Sequence, residues 1–188
     1  MQNLFGKSVH TAFVVPDLDA AVTRMLESGF GPAFLLNRLL LPGRFRGVRH
    51  AMEMNVAFFS VGEVFFEFIQ QTDGSRSAYS EFLDRNPGGG MHHIAYYSSN
   101  FADDLDRARG AGLSLDVIQE LLAPDGSIFE VYVEPAGTSG AVLTQLMFPG
   151  HNETVFARME DIARNWDGAE PLRDLYQLMP AEISLTSA

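Results

Sequence analysis

The chain has 188 residues and a mass of 20.7 kDa, enough for one domain or two small fused units with a real core. Hydrophobic residues make up 46% and charged residues 20%, which excludes a disordered chain; the absence of cysteine excludes disulfides, thiolate metal sites, iron–sulfur clusters and a cysteine nucleophile. A net charge of −11 repels phosphate backbones and argues against nucleic-acid binding.

No apolar run reaches the ~18 residues of a membrane span. The start of the chain, Met1 to Lys7, lacks the basic-then-apolar plan of a signal peptide. A cytoplasmic protein without a membrane partner is expected.

In chain order, His10-Thr-Ala-Phe-Val-Val reads as a strand. Asp17 is the predicted N-cap of a helix whose apolar positions are Ala20, Ala21, Val22, Met25 and Leu26, with Gly29 closing it. Strands are expected over 33–41, 52–61 and 64–71. Between Glu27 and Glu53 there is no acid, whereas Arg38, Arg44, Arg46, Arg49 and His50 gather around a predicted Pro42-Gly43 turn. That cluster reads either as a clamp for an anionic small molecule, with Arg44, Arg46, Arg49 and His50 binding substrate, or as a solvated hairpin tip. A short helix over 77–85 and the flexible link Asn86-Pro-Gly-Gly-Gly90 follow.

From His93 the pattern repeats at an offset of 83 residues: both segments run His-x-Ala-aromatic, then a helix-start signal, then an amphipathic run. Asn100 or Ser99 caps the second helix, Gly110 or Gly112 ends it, and strands are expected over 115–122, 127–134 and 141–148. Each copy therefore reads βαβββ. The implied organisation is a first module over 6–75, a helix and Gly-rich linker over 76–91, a second module over 92–149 and a C-terminal helical extension over 150–188. In that extension helices are expected over 153–166 and 171–178, followed by a fraying tail.

Strand alternation decides which side chains share a face. His10 goes with Ala12 and Val14, His93 with Ala95 and Tyr97, Glu67 with Phe65 and Ile69, and Gln145 with Leu143 and Met147. Each copy thus offers a His from its first strand and a carboxylate or carboxamide from its last. Two imidazoles, a carboxylate and an amide oxygen suit a divalent first-row ion such as Zn, Co, Ni, Mn or Fe, with positions left open for substrate. Such an ion can polarise a carbonyl and stabilise an enolate while a neighbouring base takes the α-proton. Glu67, an acid in a strand rich in Phe, is either a functional group or half of a buried ion pair. Glu130 alternates with Ile128 and Tyr132 and either faces the same concavity as a second candidate base or lies on an exposed strand face. His92, next to His93, is expected on the opposite face in a packing or hydrogen-bonding role. Gly88-Gly89-Gly90 precedes a strand and lacks a following Lys, so it is a linker and not a phosphate loop.

The segments His10-Thr-Ala-Phe-Val-Val-Pro-Asp-Leu-Asp, Phe66-Glu67-Phe-Ile, Gly90-Met-His-His93-Ile-Ala-Tyr and Val142-Leu-Thr-Gln145-Leu resemble the vicinal oxygen chelate superfamily, over roughly residues 6 to 149. That superfamily contains glyoxalase I, methylmalonyl-CoA epimerase, extradiol dioxygenases and bleomycin-resistance proteins; the stretch from Tyr79 to Ala95 looks most like the epimerase. The resemblance implies an α+β fold of two βαβββ modules whose curved mixed sheet surrounds a metal-lined cleft. It also implies metal ligands at His10, Glu67, His93 and Gln145, and a homodimer. The implied activity is a metal-dependent isomerase or lyase, epimerase-like on an acyl thioester or related small acid, with Glu67 or Glu130 moving the proton. A glyoxalase I-like lyase and a non-catalytic binding protein of the bleomycin-resistance type are the alternatives. One departure from the epimerase pattern stands out. Epimerases carry Gln on the first module's last strand and Glu on the second's, and here Glu67 and Gln145 exchange those places.

Overall fold

The computed structural model describes residues 4–62, 64–138 and 140–179. The first copy of the repeat forms β1 (Ser8–Val14), α1 (Leu18–Glu27), β2 (Ala33–Phe45), β3 (Val48–Val61) and β4 (Val64–Gln71). The second forms β5 (Gly90–Tyr97), α3 (Phe101–Gly110), β6 (Leu115–Leu122), β7 (Ile128–Pro135) and β8 (Leu143–Met147), with α2 (Ala78–Arg85) between them. The caps follow from local chemistry. Asp17 accepts from the Ala20 amide at 2.9 Å, Asn100 accepts from the Ala102 amide at 3.1 Å, and Ser77 and Ser80 cap α2 reciprocally.

The first hairpin runs longer than expected. Its turn is Arg46-Gly47, with φ values of 48° and 81°, the left-handed pair that a two-residue hairpin turn requires. Pro42 instead lies within β2, on a stretch whose outer edge has no strand partner between Leu35, paired with β9, and Gly43, paired with β6. A proline there forfeits no ladder bond on that side.

The strands follow the order β3-β4-β1-β5-β8-β7-β6-β2, and β2 also pairs with β3, so these eight close on themselves. The two copies meet twice, through β1 against β5 (Ala12 opposite His93) and through β2 against β6 (Gly43 opposite Leu121). The sheet is mixed, because β1 runs parallel to β4 and β5 parallel to β8. The main core fills the inside of the ring with residues such as Phe34, Met52, Met54, Leu121 and Tyr132. A second cluster packs the buried face of α1, Leu18, Ala21 and Val22, onto Ala33, Ala57 and Phe59.

After the second module, α4 (His151–Arg164) sends Val155, Phe156 and Met159 into the main core. The second helix expected over 171–178 is not there. A three-residue strand, β9 (Leu172–Asp174), pairs in parallel with the free end of β2, and a single 3-10 turn (Leu175–Leu178) follows, capped by Asp174. The open edge at Ala33 to Leu35 accounts for this: the Ala33 amide binds the Pro171 carbonyl at 2.8 Å, and the parallel ladder continues from there. Apart from Met179, the expected fraying tail lies outside the described residues. Among the described residues, no helix is long and apolar enough to cross a membrane.

Candidate metal centre and cavity

Four adjacent strands of the ring, β4-β1-β5-β8, carry Glu67, His10, His93 and Gln145 in that spatial order. All four side chains are buried. Small residues make this possible: Ala12 and Ala95 occupy the same inward faces as His10 and His93, and Ala12 is the register partner of both Glu67 and His93. His10 Nε2 lies 3.1 Å from Glu67 Oε2 and 3.3 Å from His93 Nε2, and His93 Nε2 lies 3.4 Å from the same carboxylate oxygen. The ligand atoms of these three residues all fall within 4.8 Å of one another. Donors that share an ion at about 2.1 Å stand roughly 3.0–3.4 Å apart, so this spacing fits a divalent metal.

The fourth position has its own signature. Gln145 Nε2 donates to Glu130 Oε2 at 2.6 Å and to Tyr132 Oη at 2.8 Å, which leaves Gln145 Oε1 buried without a partner. Glu67 Oε2 is likewise buried, with only the two imidazole Nε2 atoms near it. Native proteins seldom leave a buried acceptor unmet, and the bare Gln145 Oε1 beside a carboxylate and two imidazoles fits a cation. The imidazoles are held by rings: Phe58 and Phe156 against His10, Tyr132 against His93.

His92 departs from expectation. Met91 pairs with Phe13 and His93 with Ala12, so His92 is the extra residue of a β-bulge. The bulge breaks the alternation, and His92 does not point away from His93. Its Nδ1 lies 2.9 Å from His93 Nδ1, and its ring touches Tyr79, Phe82 and Tyr132. Burial and the neighbouring His93 keep His92 neutral, and the two Nδ1 atoms share one proton; the tautomer with that proton on His93 leaves its Nε2 as a lone pair facing Glu67, the form a metal needs.

Two carboxyl groups in this site are driven apart. Burial opposes ionisation of Glu67, but His10 and His93 outweigh it and hold the carboxyl at about 2. Burial lowers the His93 imidazole, against the opposing pull of Glu67. Both groups are thus in the forms that ligate metal. Glu130 goes the other way: burial, reinforced by the charge of Glu67, pushes it up to about 8 in spite of its bonds from Gln145 and Tyr132. Tyr79 Oη and Tyr132 Oη are 2.8 Å apart, and Tyr132 reaches Glu130 Oε2 at 3.3 Å, so a hydrogen-bonded chain runs from α2 to the carboxyl.

His10, Glu67, Gln145, Glu130, Tyr132 and Tyr79 line one end of a cavity of about 440 Å³, within the range of small-molecule sites, and the fully buried His93 lies behind them. Helix α4 forms part of its wall through Val155, Phe156 and Met159.

The family model of the Glyoxalase/Bleomycin resistance protein/Dioxygenase superfamily matches residues 9–120. The chain belongs to this superfamily. Among solved structures, the Mycobacterium tuberculosis methylmalonyl-CoA epimerase is 20% identical, with a TM-score of 0.52 over 81% of this chain and 94% of that one. A variant of the Streptomyces coelicolor methylmalonyl-CoA epimerase in complex with 2-nitronate-propionyl-CoA is 22% identical, with a TM-score of 0.51 over 77% and 94%. A hypothetical protein of Bacillus halodurans C-125 is 17% identical, with a TM-score of 0.50 over 77% and 94%. At these identities the likeness is one of fold. A search of curated proteins finds no match.

Within this superfamily fold, the arginine cluster is not brought to the cavity. Arg44 pairs with Glu120 at 3.0 Å and Arg46 with Glu81 at 2.8 Å, while Arg49 and His50 are also absent from the cavity wall. Burial lowers the His50 imidazole, and both its ring nitrogens lack partners. Sequence reasoning placed Tyr132 beside Glu130 by alternation but gave it no role. It also missed Tyr79, 53 residues away on another element, and Phe156, for which no local signal exists.

Proposed function

We propose that this protein is a metal-dependent isomerase or lyase that moves a proton next to the carbonyl of a small-molecule substrate. His10, Glu67, His93 and Gln145 hold the ion, and Glu130 transfers the proton. The observation that carries this reading is the division of labour between two carboxyl groups in one cavity: Glu67, held at about 2, is an anionic ligand, while Glu130, pushed up to about 8, exchanges a proton near neutral pH. A divalent ion bound to this set supplies an anchor for substrate oxygens and Lewis acidity at the carbonyl.

The chain's own residues do the rest. The Gln145 amide holds the Glu130 carboxylate at 2.6 Å and points its own Oε1 away from it, so one side chain orients both the acid–base group and the fourth donor. The Tyr132 hydroxyl, fed by Tyr79, bonds the same carboxylate oxygen and steadies it when ionised. Phe58 and Phe156 exclude water from His10. Epimerisation and a glyoxalase-type rearrangement both use such a constellation. A protein that bound no metal would leave Gln145 Oε1 buried with nothing to coordinate, at about 1–3 kcal/mol. All four donors come from one chain, so the site does not depend on a second copy.

The test is solvent-deuterium incorporation next to the carbonyl, followed by NMR across α-hydroxyketones and 2-methylacyl thioesters with metal-loaded protein. Exchange in the wild type that is lost in Glu130→Gln is expected. Exchange that survives in the variant contradicts the assignment of Glu130.

A further inference from the structure

Resting on that reading of the site, the cavity wall also indicates what it accepts. Among the described residues, no lysine or arginine lines it. Its walls are residues such as Leu36, Leu39, Phe58, Leu121, Phe129 and Phe156, and its polar groups fall in two places. At the inner end are His10, Glu67, Gln145, Glu130, Tyr132 and Tyr79; at the start of α4 are His151 and Asn152. We propose that the substrate is an uncharged, largely apolar carbonyl compound, free or borne as the acyl part of a thioester, whose polar groups are the neighbouring oxygens that reach the inner end.

Two observations carry this beyond the general chemistry of the site. The arginines that would recognise a carboxylate are engaged elsewhere, Arg44 by Glu120 and Arg46 by Glu81. The lips are apolar too: Leu40 is 36% exposed and Phe148 49% exposed, and both line the cavity. The one feature that could favour an anion is the start of α4, where His151 and Asn152 stand on a helix N-terminus with no side-chain cap. Asn152 is turned back, donating to the Phe148 carbonyl at 2.9 Å.

Calorimetric titration tests the inference with three probes: a neutral ten-carbon α-hydroxyketone, the same skeleton ending in a carboxylate, and a neutral N-acetylcysteamine thioester of a 3-oxo acid of equal length. Titration of both metal-free and cobalt-loaded protein keeps wall preference separate from metal affinity. At least one neutral probe is expected to bind tenfold or more tightly than the carboxylate, and which one does so tells a free ketone from a thioester-borne acyl group. Leu40→Lys, a change at a partly exposed position, is expected to narrow that gap. Equal or tighter binding of the carboxylate, or binding of none of the three, overturns the inference. Neither result touches the metal assignment, which rests on metal stoichiometry.

Discussion

The amide nitrogen of Gln145 donates to Glu130 at 2.6 Å while the amide oxygen of the same side chain stays buried and unpartnered. In the proposed site one residue therefore joins the metal donors to the acid–base group. In that site the Glu67 carboxylate sits between the two imidazoles, and the Gln145 amide sits where it holds a second carboxyl. Gln145→Leu is expected to weaken metal binding and also to free Glu130, so metal titration and deuterium exchange both deteriorate. Unchanged metal affinity in this variant removes Gln145 from the donor set.

Glu130→Gln separates the two functions. The variant keeps all four donors, so metal content holds, while exchange falls by about 10²–10⁴-fold, the usual range for loss of a general acid–base group. Inductively coupled plasma analysis and the exchange assay, run on the same preparation, check both halves.

The pH dependence follows from the raised Glu130. In the proposed mechanism Glu130 acts as the ionised base, and a cation beside Glu67 offsets the charge that helps raise it, so exchange by metal-loaded protein is expected to climb with pH through a value lower than about 8, that of the metal-free site. Tyr132→Phe removes a hydrogen bond to the ionised carboxylate, which moves that rise to higher pH. It also takes one of two hydrogen-bonding neighbours, Tyr132 and Gln119, from the buried Tyr79 hydroxyl, costing about 1 kcal/mol of stability in urea denaturation. A profile that stays in place argues that Tyr132 has a packing role alone.

Stability of the metal-free protein carries the same signs. Glu130 binds its proton more tightly folded than unfolded, so its contribution is complete below its ordinary value of 4.5 and is lost as pH rises toward about 8. Glu67 is the reverse: its contribution is present above 4.5 and is lost as pH falls toward about 2. Urea midpoints of metal-free protein between those limits are expected to fall on the alkaline side in the wild type and to flatten there in Glu130→Gln. An equal alkaline fall in both contradicts the raised Glu130.

Phe156→Ala tests the role of α4. The ring packs on His10, Phe58 and Phe65, and truncation is expected to cost about 3 kcal/mol, the low end for a buried Phe because one side of it faces the cavity. Metal affinity is expected to fall with it, since His10 loses the ring stacked on it. A fall in stability with metal affinity intact limits the helix to packing.

Much of this was readable from residues. The repeat brought His10 and His93 together, alternation placed Glu67 and Gln145 on the inward faces, and Asp17 and Asn100 marked the helix starts. What escaped depends on tertiary neighbours. His92 lies inside a bulge, and one extra residue undoes a two-residue period. Pro42-Gly43 has turn chemistry, but the Arg46-Gly47 pair takes the left-handed conformation. Residues 172–174 form a strand because the edge of β2 is waiting for them. The arginines drew attention as a cluster, and only the fold shows that Glu120 and Glu81, far along the chain, hold Arg44 and Arg46.

The most direct measurement is the metal content of protein purified without chelator or metal column, alongside His93→Ala treated identically. About one equivalent of a divalent first-row metal in the wild type and little in a folded variant is the predicted result. No metal in the wild type after reconstitution with several ions, or equal metal in both proteins, contradicts the account.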